Sequence, residues 1–278
     1  TGELKIEQAW VDYKFSDALT QRTGIIVVPF GLVNNLHDSD LRDTTNRPIY
    51  AKYIVPTTWM DTGLGFHGNL DINDIEINYQ AYLINGLAQT DTNKISLSKG
   101  IRSIRPQFKS DNNRSKAFTG RVGVSPYLGL ELGASFYNGK YDENDSKNLS
   151  MIGADINWKS GPFEIVSEFA QNNIEKLTNE PEKMNGYYIE GRYHLQGNWL
   201  KQILGNDLRN PVLTLFARTG AVKVESSEVG VNNTEREQHT IGLNIRPIET
   251  LVYKVEAEFN KVNNVNSKQL IGSVAVGF

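Results

Sequence analysis

The chain contains no cysteine in 278 residues, which excludes a disulfide framework and any thiolate-ligated metal. It also lacks an apolar run near the ~18 to 20 residues that a membrane-spanning helix requires. That absence removes the helix as a way across a bilayer but says nothing against a sheet. No sign of charge dominates: the formal net charge of −3 is too small to point to nucleic acid. Histidine is sparse, and His37, His67, His194 and His239 are too scattered for a paired zinc motif such as His-Glu-x-x-His. Thr1-Gly-Glu-Leu-Lys5 reads as strand rather than as a leader peptide, and no linker interrupts the chain, so residues 1–278 are expected to form one domain.

What the chain does have is alternation. Leu251, Tyr253, Val255, Ala257 and Phe259 are apolar, while Lys254, Glu256, Glu258 and Asn260 between them are charged or polar. Successive strand side chains point to opposite faces, so this segment is a strand with one greasy side and one charged side. No sheet face buried in an ordinary core is expected to accept that row of charges. The same pattern recurs: Tyr187, Ile189 and Tyr193 oppose Tyr188, Glu190, Arg192 and His194, and Leu130, Leu132, Ala134 and Phe136 oppose Glu131, Ser135 and Tyr137. The chain closes on Leu270, Gly272, Val274, Val276 and Phe278, all on one side of a last strand.

Pattern counting predicts thirteen strands, at 3–14, 22–33, 62–71, 74–87, 117–126, 127–138, 149–159, 163–173, 186–196, 210–223, 237–247, 250–261 and 268–278. Tight turns are expected at Asn73-Asp74, Pro126-Tyr127, Ser160-Gly161-Pro162 and Pro247-Ile248-Glu249. Longer polar connections fall at 34–61, 88–116, 138–148, 172–185 and 224–236. Short turns at one end and long loops at the other, joined by strands that are apolar outside and polar inside, predict an all-β, transmembrane antiparallel β-barrel of the bacterial outer membrane. Counting back from Phe278, an even number of antiparallel strands requires at least one strand before Thr1, and sixteen if three precede it. One connection departs from the rule: residues 198–205 carry Trp199 with Ile203 and Leu200 with Leu204 at helical spacing, predicting a short helix at the barrel rim with Asn198 as cap and Gly205 as stop.

A family resemblance rests on particular residues. Gly24-Ile-Ile-Val-Val-Pro-Phe-Gly-Leu-Val-Asn-Asn-Leu-His37, then Arg47-Pro48, Gly63-Leu-Gly-Phe-His-Gly-Asn-Leu70 and Tyr82-Leu-Ile-Asn-Gly86 are similar to the phosphate-selective porin O and P family, with Ala9-Trp-Val-Asp-Tyr13 matching the aromatic strand before them. The matched core is Ile6 to Leu87. The resemblance implies a sixteen-stranded, trimeric porin whose third loop folds into the lumen and narrows it. Here that loop is residues 34–61, whose Asp38, Asp40, Arg42, Asp43, Arg47 and Lys52 would present both signs of charge at a constriction; the other reading is a solvated lid.

Phosphate selectivity is not expected to carry over, because it needs a ladder of cationic donors along the path. The expected pore-lining bases are Arg121, Arg192, Arg218, Arg246 and Lys254. Acids outnumber them: Glu76, Glu131, Asp155, Glu164, Glu168, Glu190, Glu256 and Glu258. The expectation is a passive channel for small polar or ionic solutes, weakly selective and without a cofactor, that sits in lipid and lipopolysaccharide as a homotrimer. The basic second loop, with Lys94, Lys99, Arg102, Arg105, Lys109, Arg114 and Lys116, is either a solvated surface or a contact for anions and lipopolysaccharide phosphates. Other constellations are weaker. His37-Asp38-Ser39-Asp40 with Asp43 lacks the glycine turn and terminal Glu of a calcium loop. Glu190, Arg192 and His194 at spacing two read as an ion-pair ladder, and His239 has no nucleophile to serve. A non-conducting barrel within a larger envelope complex, favoured by the rim helix, and an outer-membrane hydrolase are the alternatives.

Overall fold

The structure, a computed structural model, describes residues 6, 8–105, 114–177, 180–205, 208, 210–227 and 233–277; Lys109 and Phe278, singled out above, lie outside them. Among the described residues, thirteen strands form: β1 (Ala9–Ser16), β2 (Leu19–Val27), β3 (Met60–Ile72), β4 (Ile75–Ile84), β5 (Ala117–Tyr127), β6 (Leu130–Lys140), β7 (Asn148–Ser160), β8 (Phe163–Ile174), β9 (Lys183–Leu195), β10 (Val212–Glu225), β11 (Thr234–Ile248), β12 (Leu251–Val262) and β13 (Val265–Val276). They build one antiparallel sheet in strict sequence order, each strand bonded to its neighbours in the chain.

Turn chemistry explains where the boundaries differ from expectation. Asn73-Asp74 and Asn263-Asn264 are left-handed at both positions, the two-residue hairpin geometry that Asn and Asp tolerate. Pro126 and Tyr127 belong to β5, and the turn is Leu128-Gly129, with Gly129 at φ +95. Pro126 is accommodated where the β5–β6 register shifts, and Pro247 likewise sits at the shift between β11 and β12, positions where a missing N–H costs no ladder bond. β2 stops at Val27, short of the expected 33, because Pro29 and Gly31 turn the chain off the sheet. The rim helix forms as α3 (Asn198–Leu204), but Gly197 rather than Asn198 occupies the cap position, and no side chain caps it. Its Leu200 is buried, and Trp199 and Ile203 are exposed.

The two faces invert the ordinary arrangement. Tyr253, Val255 and Phe259 are 47%, 48% and 38% exposed, whereas Lys254, Glu256 and Glu258 on the same strand are each 1% exposed. Apolar side chains cover the outer face on every strand from β3 to β12, with exposed aromatics at both ends: Phe118, Phe169 and Phe259 towards the long connections, Tyr127, Phe163 and Tyr253 towards the short ones. Their separation of six to nine residues, roughly 20–30 Å along a strand, is on the scale of a bilayer's apolar band.

The sheet curls around its charged face. Val33 donates its N–H to Glu168 on β8, and the next residue, Asn34, bonds the Val28 carbonyl immediately after β2. In a flat sheet, strands six places apart are separated by roughly 29 Å, more than two adjacent residues can bridge. Inside the curl, the segment after β2 carries two single-turn helices, α1 (Leu32–Asn35) and α2 (Tyr50–Tyr53). Phe30, Val33, Tyr50, Ile54, Val55 and Trp59 pack against Tyr82, Tyr137, Met151, Met184, Tyr188 and Val222 on the inner faces of β4 to β10. Ile95, Ile101 and Ile104 of the next long connection join this cluster. On β4 to β10 the inner face is therefore apolar in its half nearest the long connections, a feature that the strand-by-strand alternation does not reveal.

Val255, midway along β12 on the outer face, tests the inversion. In a lipid bilayer, Val255→Arg is expected to cost about 2–4 kcal/mol of folding free energy, read by denaturant titration of liposome-embedded protein. A cost below about 0.5 kcal/mol, the usual range for a neutral surface change, would mean that this face does not meet lipid.

Candidate functional site

The inserted segment is held by the wall at both its ends and its tip. Pro29 has no N–H to satisfy, and Gly31, at φ +69, turns the chain inward. A Cβ on Gly31 would collide with the Glu168 carboxylate. That carboxylate, 1% exposed, accepts the Val33 N–H and the Tyr188 hydroxyl, both at 2.7 Å, while Gly31 N–H donates to Ser135 Oγ at 3.1 Å. Asn34 clamps the two ends of the segment together: its amide donates to the carbonyls of Val28 and Trp59 at 2.8 and 3.0 Å and accepts the Trp59 N–H at 2.8 Å. The Pro-Phe-Gly step thus depends on a glutamate 137 residues after Gly31 in sequence.

Residues 37–47 form a tongue of irregular backbone, whose N–H and C=O groups must find partners away from bulk water. The charged wall supplies them. Lys254 donates to the Ser39 and Thr44 carbonyls. Arg246 donates to the carbonyls of Asp40 at 2.6 Å and Arg42 at 3.2 Å, and Arg218 to that of Asn46 at 3.1 Å and to Thr44 Oγ1 at 3.0 Å. Asn244 holds Asp43 through its carbonyl and its carboxylate, at 2.9 and 3.0 Å. Glu256 accepts two successive backbone N–H groups, Thr45 and Asn46, each at 2.8 Å, and Glu258 accepts the Asn46 amide at 3.1 Å. Charge-assisted bonds of this kind are about twice as strong as neutral ones. The row of charges on β12 is buried after all, because a folded-in backbone rather than a hydrophobic core lies against it.

The remaining wall charges pair among themselves. Arg121 bonds Asp155 at 2.5 and 3.1 Å and Glu131 at 2.8 Å. Arg192 lies 2.6 Å from Glu190, 3.2 Å from Glu164 and 3.3 Å from Asp43, and Arg218 lies 3.2 Å from Glu190. Glu190, Arg192 and His194 are accordingly part of an ion-pair ladder that also takes in Glu164 and the tongue. Asp43, Glu164 and His194 bring ligand atoms within 4.8 Å of one another, a grouping invisible in sequence. The Arg192 guanidinium already bonds both carboxylates and Arg246 lies 3.4 Å from Asp43, so the chemistry present there is salt bridging.

Of the residues expected at a constriction, Asp38 and Lys52 are exposed, Asp40, Arg42 and Arg47 are half-buried, and Asp43 is buried. Burial, followed by the neighbouring guanidiniums of Arg47 and Arg218, presses the Arg42 side chain down to about 10, which leaves it charged at neutral pH. Burial and then the Glu168 carboxylate push the Tyr50 phenol up. Glu76 is exposed beside the Asn73-Asp74 turn. Lys94, Lys99, Arg102, Arg114 and Lys116 are exposed, whereas Arg105 turns in and donates to the Thr58 carbonyl at 2.6 Å. The motif pair Asn85-Gly86 has a structural reason: Gly86, at φ +99, donates its N–H to Asp61 at 2.7 Å.

Sequence reasoning missed one inner-face cluster. Arg22 pairs with both oxygens of Asp12 at 2.7 Å, His67 Nε2 lies 3.3 Å from the same carboxylate, and the Trp10 ring lies 3.9 Å from the guanidinium carbon. Asp12 and Arg22 are direct partners across the β1–β2 hairpin. The signal was the near-symmetric placing of opposite charges about Asp17-Ala18, obscured by an expected β2 that began three residues late.

Glu256→Gln tests the tongue's attachment. The amide retains one acceptor oxygen for two N–H groups, so one is left unpaired at about 1–3 kcal/mol. Faster proteolytic nicking within residues 37–47 and noisier behaviour of this segment are the expected results; nicking at the parental rate would show that the carboxylate does not hold it.

The chain is 30% identical over 215 residues to an uncharacterized protein of Aquifex aeolicus (strain VF5), a match covering 70% of this chain and 48% of that protein, so it spans about half the length of the curated relative it matches. Among solved structures it is similar, at 12% identity and a TM-score of 0.47, to the siderophore receptor PirA from Pseudomonas aeruginosa, over 94% of this chain and 42% of that one. The sequence profile of the family described as phosphate-selective porin O and P matches residues 1–152, which take in β1 to β6, the Pro-Phe-Gly step, the tongue and the second long connection. Matched over more than half its length, the chain belongs to the phosphate-selective porin O and P family.

Proposed function

We propose that this chain belongs to a bacterial outer-membrane porin, a passive channel for small polar or ionic solutes, with the curled sheet closed into a sixteen-stranded barrel and three barrels assembled as a trimer. The observation that carries this reading is the inversion of faces: an exposed apolar band with aromatics at both edges surrounds a charged interior, which suits a wall between acyl chains and water. Residues 34–61 serve as the constriction, since they are the segment folded against the inner face. Exposed bases of the second long connection lie at the end where lipopolysaccharide phosphates would be met. Bond-making chemistry has no part in this reading, since family membership points to a channel.

Weak selectivity, without phosphate specificity, follows from how the cations are used. Lys254, Arg246 and Arg218 point their donors at backbone carbonyls of the tongue, and Arg121 and Arg192 are bonded to carboxylates. A phosphate losing its water would find none of these donors free.

A second reading, a non-conducting barrel acting as a scaffold in a larger envelope assembly, is favoured by the apolar cluster inside the curl and by exposed Trp199 and Ile203 on α3. Planar bilayers separate the two. The porin is expected to give a steady open conductance that rises in proportion to salt and is similar in chloride and phosphate. A protein that inserts but stays closed would establish the scaffold instead, and a marked preference for phosphate would overturn the selectivity.

A further inference from the structure

Most of the charges closest to the tongue are out of reach of a passing ion, and only Arg192 and Arg246 among those bonded to it keep as much as 18% of the side chain accessible. Glu190, Arg218, Lys254, Glu256 and Glu258 are all 3% exposed or less, and among the described residues the wall bonds of residues 39–46 all go to β9–β13. Over β4 to β10, the half of the curl towards the long connections is packed by Trp59, Tyr50, Phe30 and their partners. On the same inner face, at the other side of the sheet, the Asp12–Arg22–His67 cluster keeps about a quarter of each side chain accessible, at 24%, 22% and 25%. Its geometry is fixed: two parallel N–H···O bonds orient the guanidinium in the plane of the carboxylate, the Trp10 ring covers one of its faces, and His67 bonds the second carboxylate oxygen. A surface that is wetted and rigid at once is what a selectivity element requires.

We infer that solutes pass along the inner faces of β1 to β3, and that the Asp12–Arg22–His67 cluster on Trp10, rather than the buried charges of β9–β13, sets the ion preference of the channel. This rests on the porin reading above and adds to it the residues that meet the solute. The cluster balances one carboxylate against one guanidinium, so the intact pair leans only weakly to either sign. Removing one partner leaves the other uncompensated at the same place. The balance is what makes the inference testable, because two conservative changes at neighbouring atoms must act in opposite directions.

The full-length protein is measured in planar bilayers under a salt gradient. Arg22→Gln is expected to shift the reversal potential towards cations and Asp12→Asn towards anions, each by roughly threefold in permeability ratio, the scale of one unscreened charge a few ångströms from a hydrated ion. Arg22→Lys keeps the charge and should keep the parental value. Accessibility supplies a readout that does not depend on the pair's stability. The chain has no cysteine, so His67→Cys is a single target; a cationic methanethiosulfonate added to open channels should move their current towards anions. Thr240→Cys, at a position 0% exposed beneath the tongue, should not react. Parental reversal potentials in both Arg22→Gln and Asp12→Asn, or inert His67→Cys channels, would overturn the inference. A parental protein without conductance would instead defeat the porin reading.

Discussion

Everything in this structure depends on finding partners for backbone polar groups where water is scarce. In the strands the solution is the antiparallel ladder, thirteen deep and in sequence order, which leaves the outer face free to be uniformly apolar. Within the curl, the tongue of residues 37–47 has no ladder of its own. Its carbonyls are met by Lys254, Arg246 and Arg218 and its N–H groups by Glu256, so ionised side chains replace a neighbouring strand. Burying one of these charges without the tongue would be prohibitive, and burying the tongue without the charges would leave its backbone unpaired. Each makes the other possible.

The same pairing decides what the interior can do electrostatically. A charge that donates all its hydrogen bonds to a fixed loop contributes little to a passing solute. Counting acids and bases along the strands therefore does not yield the character of the path. On β9–β13 the count says little, since Glu190, Arg218, Lys254, Glu256 and Glu258 are covered; on β1–β3 two opposite charges cancel at hydrogen-bond distance and remain wetted. Membership of a family whose description specifies phosphate is compatible with this arrangement, because Pro29, Gly31 and Gly86, within the matched residues, build the inserted segment and its attachment rather than an anion path.

Legibility was uneven for identifiable reasons. The strands were readable because a period of two over eight or more residues has few alternatives; the errors sat at prolines tolerated in bulges, at the glycine that turns the chain inward, and at the starts of β2, β9, β11 and β13, each three residues earlier than expected. That Lys254 and Glu256 face inward was readable from alternation; what they touch was not, since their partners lie more than 200 residues away. The Asp12–Arg22 pair needed both the two-residue turn at Asp17-Ala18 and the register shift between Lys14 and Ser16, and an expected β2 that began three residues late hid it. The apolar half of the inner face was missed because Met184, Tyr188, Val222 and Val224 look like ordinary strand residues until a loop carrying Tyr50 and Trp59 is laid across them.

By itself, the sequence determined the two-faced strands, their order and the end at which the long connections gather, because these follow from side-chain alternation and local turn chemistry. Only the tertiary structure decided that residues 28–59 fold inside the curl, that Glu168 and Glu256 hold them there, and that Asp12 and Arg22 stay wetted. The reason is physical: hydrogen bonds between a loop and a wall ten strands away leave no periodic trace in the chain, whereas the pleat of a strand is written in every second residue.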